Sequence, residues 1–250
     1  MNALAPTQRV LIVDDETPAR ERLRRLLDEL GEVAIIGEAA SGEAAVRLAG
    51  ELKPDVLLLD VRMPGMSGLE AARHLALLPT APAVVFTTAY DSYAIEAFEA
   101  QAIGYLLKPV RVEKLRAALQ RAAQLAAAQL TSIARADPER PARTHVSARL
   151  GDAVRLIAVA GIYYFSADQK YTTVRHRGGS ELIEDSLRSL EEEFAAQFVR
   201  VHRNALVNIS FLAAVERDAA GQHQVVLREI GERLTVSRRL AGELRERLRL

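Results

Sequence analysis

Apolar residues recur along this chain in two rhythms. In the first half, short unbroken runs alternate with stretches in which leucine and alanine return every three or four positions. The runs are VLIV (10–13), VAIIG (33–37), VLLL (56–59), AVVF (83–86) and IGYLL (103–107). Each is too short for a helix, is bounded by polar residues, and reads as a strand buried on both faces. The stretches between them predict helices: one ending in Leu23, Leu26, Leu27 and Leu30, others over 42–51, 69–77 and 91–99, and an alanine-rich one over 111–128. Five strands alternating with five helices predict an α/β fold, a parallel sheet with right-handed crossovers and helices on both faces.

The rhythm breaks at TSIARADPERPARTH (131–145), which carries two prolines and no apolar period and reads as a linker. Beyond it come short β-rich runs: VRLIAV, IYYFSA and YTTVRH, then FVRVH, ALVNI, AAVERD, HQVVLRE and RLTVS. One stretch between them, SLRSLEEEFAAQF (186–198), sets Leu187, Leu190, Phe194 and Phe198 at helical spacing, with Ser189 and Glu192 as its capping box. Glu191, Glu192 and Glu193 are expected on its solvated face. Tyr163, Tyr164 and Phe165 are expected in the sheet core. A basic helix, RRLAGELRERL, closes the series, with Ser237 placed to cap it. The second half is thus predicted as a β-rich α+β domain, and no pair of adjacent helices suggests a helix-turn-helix. The expected organisation is a domain over 1–130, a linker over 131–145 and a second domain over 146–250.

Composition narrows the classes. A chain of 250 residues can give each of two domains a core of its own. There is no cysteine, which excludes disulfides, thiolate metal sites and thiol nucleophiles. The start, MNALAPTQRV, has no charged segment followed by an apolar one, and no run approaches the roughly 18 apolar residues of a membrane span, so a cytoplasmic protein is expected. The net charge of zero conceals 14 Lys and Arg against 17 Asp and Glu in 1–130, and 19 against 16 in 131–250. An excess of three cations is by itself a weak sign of nucleic-acid binding. The five histidines are scattered, so a histidine metal site is not expected.

In parallel sheets of this type, sites lie at the carboxyl ends of the strands. Those ends carry Asp14 and Asp15, Asp60, Thr87 and Thr88, and Lys108 with Pro109. One strand-end acid alone is easily a helix cap. Three carboxylates with one lysine are strongly self-repelling without a further cation, and oxygen-only ligands at that density suit a hard divalent ion such as Mg2+.

The set DD (14–15), DVRMPGMSG (60–68), TA (88–89) and KP (108–109) resembles the receiver domain of two-component response regulators, over about residues 8–128. The resemblance implies a doubly wound five-stranded parallel receiver in which Asp60 accepts a phosphoryl group from a sensor histidine kinase. It implies Mg2+ held by Asp15, Asp60 and the carbonyl of Arg62, with Asp14 acting through a water. Thr88 would bond a phosphoryl oxygen, Lys108 would pair with its charge from a cis Lys108–Pro109 bond, and Tyr105 would be the aromatic switch residue. An aspartyl phosphatase of another fold also uses a strand-end carboxylate, but with an acid two residues on, where this chain has Arg62.

VRVHRNALVN (199–208) and RLTVSRR (233–239), in their strand–strand–helix order, resemble the LytTR DNA-binding domain over about 145–248, and the whole chain resembles the AlgR/LytR regulators of that group. The resemblance implies base reading of double-stranded DNA from loops between strands: Lys170 or Gln169 in the first, Asn208 in the second, Arg238 in the third. Arg200, His202, Arg203 and Arg239 would make backbone or structural contacts. The implied protein is a phosphorylation-dependent transcription factor and not an enzyme, a homodimer on phosphorylation or DNA binding. The rival is a receiver whose second domain binds a protein or RNA partner.

Overall fold

The computed structural model describes residues 8–89, 104–125, 142–151, 153–168, 171–218, 220–237, 239–242 and 244. They form two compact units.

The first unit is a five-stranded sheet of β1 (Gln8–Val13), β2 (Val33–Ala39), β3 (Val56–Asp60), β4 (Ala83–Thr88) and β5 (Gly104–Leu107). All its ladders are parallel, in the order β2-β1-β3-β4-β5. Four helices accompany them: α1 (Thr17–Leu30), α2 (Gly42–Leu52), α3 (Gly68–Leu75) and α4 (Val112–Leu125). Continuous apolar runs are what central parallel strands need, because both pleat faces are covered. Val10, Ile12, Val56, Leu58, Ala83 and Val85 pack beneath Leu23 and Leu27 of α1 and Leu115 and Leu119 of α4. The alternate residues Leu11, Leu57, Leu59 and Phe86 are equally buried on the opposite pleat face. Pro18 opens α1 and Gly31, at φ 64°, closes it. The helix expected over 91–99 lies outside the described residues.

The second unit is built on an antiparallel sheet in the order β10-β9-β8-β12-β11. Its strands are β8 (Ile162–Asp168), β9 (Tyr171–His176), β10 (Gly179–Ile183), β11 (Phe198–His202) and β12 (Ala205–Asn208). A hairpin of β6 (His145–Leu150) and β7 (Ala153–Ala158), together with α5 (Leu187–Glu193), shares one core with this sheet: Val146, Ile157, Phe165, Val174, Leu190, Phe194, Phe198 and Leu206. A second core joins Tyr163, Val199, Val201 and Val207 to the three-stranded sheet of β13 (Leu212–Arg217), β14 (His223–Leu227) and β15 (Arg233–Thr235), and to the turn of helix that holds Ala241 and Leu244.

Several expectations change here. The cap of α5 is Ser186, whose hydroxyl accepts the N–H of Ser189, and not Ser189 itself. Phe198 belongs to β11; it reaches the same core as Phe194, with ring centroids 5.9 Å apart, so helical spacing was imitated by two elements meeting. The three glutamates are not merely solvated, since Glu191 pairs with Arg200, Glu192 with Arg188 and Glu193 with Arg143. Arg143 also binds Asp185 at 2.7 Å, which ties the last residues of the expected linker to the second unit. Strands β6 and β10 were not among the elements predicted from periodicity. Among the described residues no helix is long and apolar enough to cross a membrane.

Candidate functional site

The order 2-1-3-4-5 sends the chain outward in opposite directions from β1 and β3, which leaves a crevice beyond their carboxyl ends. Asp14 and Asp60 stand there. Register aligns Val13 with Leu59, so the two aspartates follow on neighbouring strands. Lys108, just past β5, reaches between them, its Nζ 2.7 Å from Asp14 Oδ2 and 2.7 Å from Asp60 Oδ1. The peptide bond from Lys108 to Pro109 is cis, as expected. Thr88 is buried at the end of β4 and its carbonyl accepts the N–H of Lys108. Thr87, opposite Asp60 in register, is completely buried. Tyr105 is half-buried on β5.

The loop after β3 is shaped around Asp60. Its Oδ2 accepts the N–H of Arg62 at 2.9 Å, and Gly68 N donates to Val61 O at 3.0 Å. A Cβ on Gly68 would lie 1.9 Å from the carbonyl oxygen of Asp60, so the chain can return this close only through glycine. Ser67 then caps α3.

The charges do not balance. Asp14 is fully buried, Asp60 is 4% exposed, and one ammonium serves both. Burial pushes the Asp60 carboxyl above its ordinary range; Lys108 pulls it back, the charge of Asp14 raises it further, and the Arg62 N–H helps to lower it. For Lys108, burial opposes the charge, but the two carboxylates outweigh it and raise its pKa. The Asp15 carboxylate, half-buried, makes no ion pair among the described residues. Among those residues no three acidic or histidine side chains are already gathered as a metal cage. The donor set nevertheless fits Mg2+, which keeps several waters and takes only one or two carboxylates directly. Three carboxylates against one lysine leave the charge that such an ion would neutralise.

In the second unit, topology brings Arg200, His202, Arg203 and Arg239 of the predicted nucleic-acid residues to one end. Ala205 pairs with Ser166, and Ala167 N donates to Asn204 O at 2.9 Å, so the last residues of β8 and the β11–β12 turn share an end of the sheet. Ser237 N donates to Val201 O, which brings the start of the last helix to the same place. The Ser237 carbonyl accepts the N–H groups of Leu240 and Ala241, as the cap of that helix should. Arg200, His202, Arg203, Ser237 and Arg239 line one groove of about 690 Å³ with Val199, Leu240 and Leu244. Arg200 is held by Glu191 and by the carbonyl of Arg203, and the His202 ring bonds Asn204. Arg203 and Arg239 are exposed and make no ion pair among the described residues.

Asn208 requires a correction. It is 3% exposed, its amide donates to Ile162 O at 2.9 Å, and its Oδ1 accepts from both the N–H and the hydroxyl of Ser210. A side chain so enclosed has no edge to offer a base; it fastens β12 to β8. Arg203 was expected only as a backbone or structural contact and Asn204 not at all, although their place in a turn between two strands was a usable signal. Gln169, Lys170 and Arg238 lie outside the described residues.

Residues 10–120 match the response regulator receiver domain, and residues 152–249 match the LytTr DNA-binding domain. The chain is 44% identical over 240 residues to the positive alginate biosynthesis regulatory protein of Pseudomonas aeruginosa, covering 94% of this chain and 97% of that one. It is 36% identical to the transcriptional regulatory protein BtsR of Escherichia coli over 244 residues, covering 97% and 99%. To the sensory transduction protein LytT of Bacillus anthracis it is 33% identical over 247 residues, covering 97% and 99%.

Proposed function

The chain belongs to the LytTR family of two-component response regulators, and from that premise we propose that phosphorylation of Asp60 controls sequence-specific binding of promoter DNA by the second unit. As a family member the protein joins a receiver to a DNA-binding transcription module and is not an enzyme. The observation that carries the proposal is the Asp14–Lys108–Asp60 bridge, with Asp60 at the mouth of the sheet.

Asp60 attacks the phosphorus of a phosphohistidine on a sensor histidine kinase, forming an acyl phosphate as the phosphorus–nitrogen bond breaks. Lys108 then exchanges one carboxylate partner for a phosphoryl oxygen, and Thr88 donates its hydroxyl to another. Asp15, Asp60 and the Arg62 carbonyl would hold Mg2+, with Asp14 acting through a water; the ion supplies neutralisation of the transferred charge. Movement of Thr88 toward the phosphoryl group opens room for Tyr105, and the altered face favours a homodimer. A bias of a few kcal/mol is enough to shift such a two-state element.

In the second unit the reading group of the β11–β12 turn becomes Arg203 in place of Asn208, alongside Arg238, while Arg239 grips phosphate. Arginine suits guanine because its fork spans two acceptors in the major groove. Incubation of the protein with acetyl phosphate and Mg2+ should label Asp60, and Asp60→Asn should abolish the label. Labelled protein should hold its promoter duplex against non-specific competitor more tightly than unlabelled protein does. Equal labelling of Asp60→Asn would sink the phosphoryl reading, and binding to RNA or to a protein with no duplex preference would replace the DNA reading.

A further inference from the structure

Two acids of the first unit, Asp14 and Asp15, lie on the β1–α1 loop, and a residue outside the acidic set bonds that loop. Arg20, one turn into α1 and only 14% exposed, turns its guanidinium back over the β1–α1 loop. Nη1 donates to the carbonyl of Asp14 at 2.8 Å and to that of Asp15 at 3.3 Å. Nη2 donates to Thr17 Oγ1 at 3.0 Å, and Nε to Glu38 Oε2 at 3.3 Å. Glu38 lies on β2 opposite Ile12, and Asp14 N donates to Ala39 O at 3.1 Å. One side chain therefore joins the end of β2, the first turn of α1 and two consecutive peptide carbonyls.

Those two carbonyls define the peptide planes on either side of Asp15, and hence the direction in which its carboxylate leaves the chain. Asp14 is additionally fixed by Lys108 and by the N–H of Glu16 at 3.1 Å; Asp15 makes no ion pair of its own among the described residues. We infer that Arg20 is a positioning residue for the divalent-cation site, setting the Asp15 carboxylate through its grip on the Asp14 and Asp15 carbonyls. The inference rests on the metal reading above. The task needs a planar fork with donors in several directions, which lysine, a point charge with one head, lacks. The competing view, an ordinary ion pair between α1 and β2, has an internal control: Arg24 binds the same Glu38 carboxylate and touches no loop carbonyl among the described contacts.

The test is Mn2+ titration of the full chain, free Mn2+ being read by electron paramagnetic resonance. Wild type should bind and Asp15→Asn should not; no binding by wild type would overturn the metal reading itself. Given that binding, Arg20→Gln and Arg20→Lys should each weaken it about tenfold, the order seen when partners of metal ligands are removed, while Arg24→Gln stays within about twofold. Far-UV circular dichroism checks folding, and Arg20→Lys, which keeps charge and helix propensity, carries the test if Arg20→Gln does not fold. Wild-type affinity in Arg20→Lys, or equal losses in Arg20→Lys and Arg24→Gln, would overturn the positioning role while leaving the metal site intact.

Discussion

Asp60 is held at a cost, and that cost has a pH signature. An aspartate in the unfolded chain titrates near about 3.9. In the fold Asp60 titrates higher, first because of burial, so between the two values the folded state binds more protons. Stability therefore falls as pH rises through that window, and the full penalty stands above the folded value. Asp60→Asn should raise the urea midpoint at pH 7 without Mg2+, with the gain fading as the pH is lowered below the window. Added Mg2+ should stabilise wild type more than the variant. A variant less stable than wild type at pH 7 would contradict this. Asn208 gives the opposite case of a polar residue that stabilises. Asn208→Ala strands the Ile162 carbonyl and the Ser210 donors, and should lower stability by about 1–3 kcal/mol in denaturant titration. At a stabilising temperature its DNA preference should persist, whereas a flattened preference at one base would restore it as a reader.

At the scale of elements, the β3–α3 turn and the aromatic cluster each hold geometry that no single contact explains. Gly68→Ala would place a methyl group against the Asp60 carbonyl, so either the strand end or the start of α3 must shift. Phosphoryl uptake should fall at least tenfold with α3 still formed, as a misplacement of about 1 Å at a reacting group does. Phosphorylation kinetics with acetyl phosphate reads this directly, and wild-type kinetics in Gly68→Ala would show that the turn has slack. In the second unit Phe165, Phe194 and Phe198 form a triangle with centroids 5.0–6.4 Å apart, joining β8, α5 and β11. Phe194→Ala should cost about 3–5 kcal/mol, among the larger single losses available to this unit, as read by equilibrium unfolding.

For the whole molecule, the two units perform unlike tasks with a nearly neutral chain. On the function proposed above, DNA affinity comes from local charge. Arg203→Ala should weaken the cognate duplex by about 1–3 kcal/mol and relax preference at one base pair. Arg239→Ala should weaken all duplexes alike and reduce the salt slope by about one unit. Binding across a salt series and a set of point-mutated sites separates the two. If both variants behave as wild type, the DNA-reading surface lies away from the groove at this end of the sheet.

Buried strands carry their own signature, so VLIV, VLLL and AVVF were legible from the chain alone, and with them the parallel sheet and the acids at its carboxyl ends. The apolar runs placed Asp14, Asp15, Asp60 and Lys108 at the sheet's edge, while the roles expected of them came from the resemblance of the set to receiver domains. What only tertiary structure decided was which polar groups are already engaged. Asn208 and Arg203 stand five residues apart in one hairpin; one is enclosed by Ile162 and Ser210, the other faces solvent. Periodicity is blind to that difference, since an amide satisfied by a backbone carbonyl 46 residues away leaves no trace in local pattern. The same holds for Phe198, whose helical spacing belongs to a strand, and for Arg20, whose grip on two carbonyls exists only once α1 has folded back over β1.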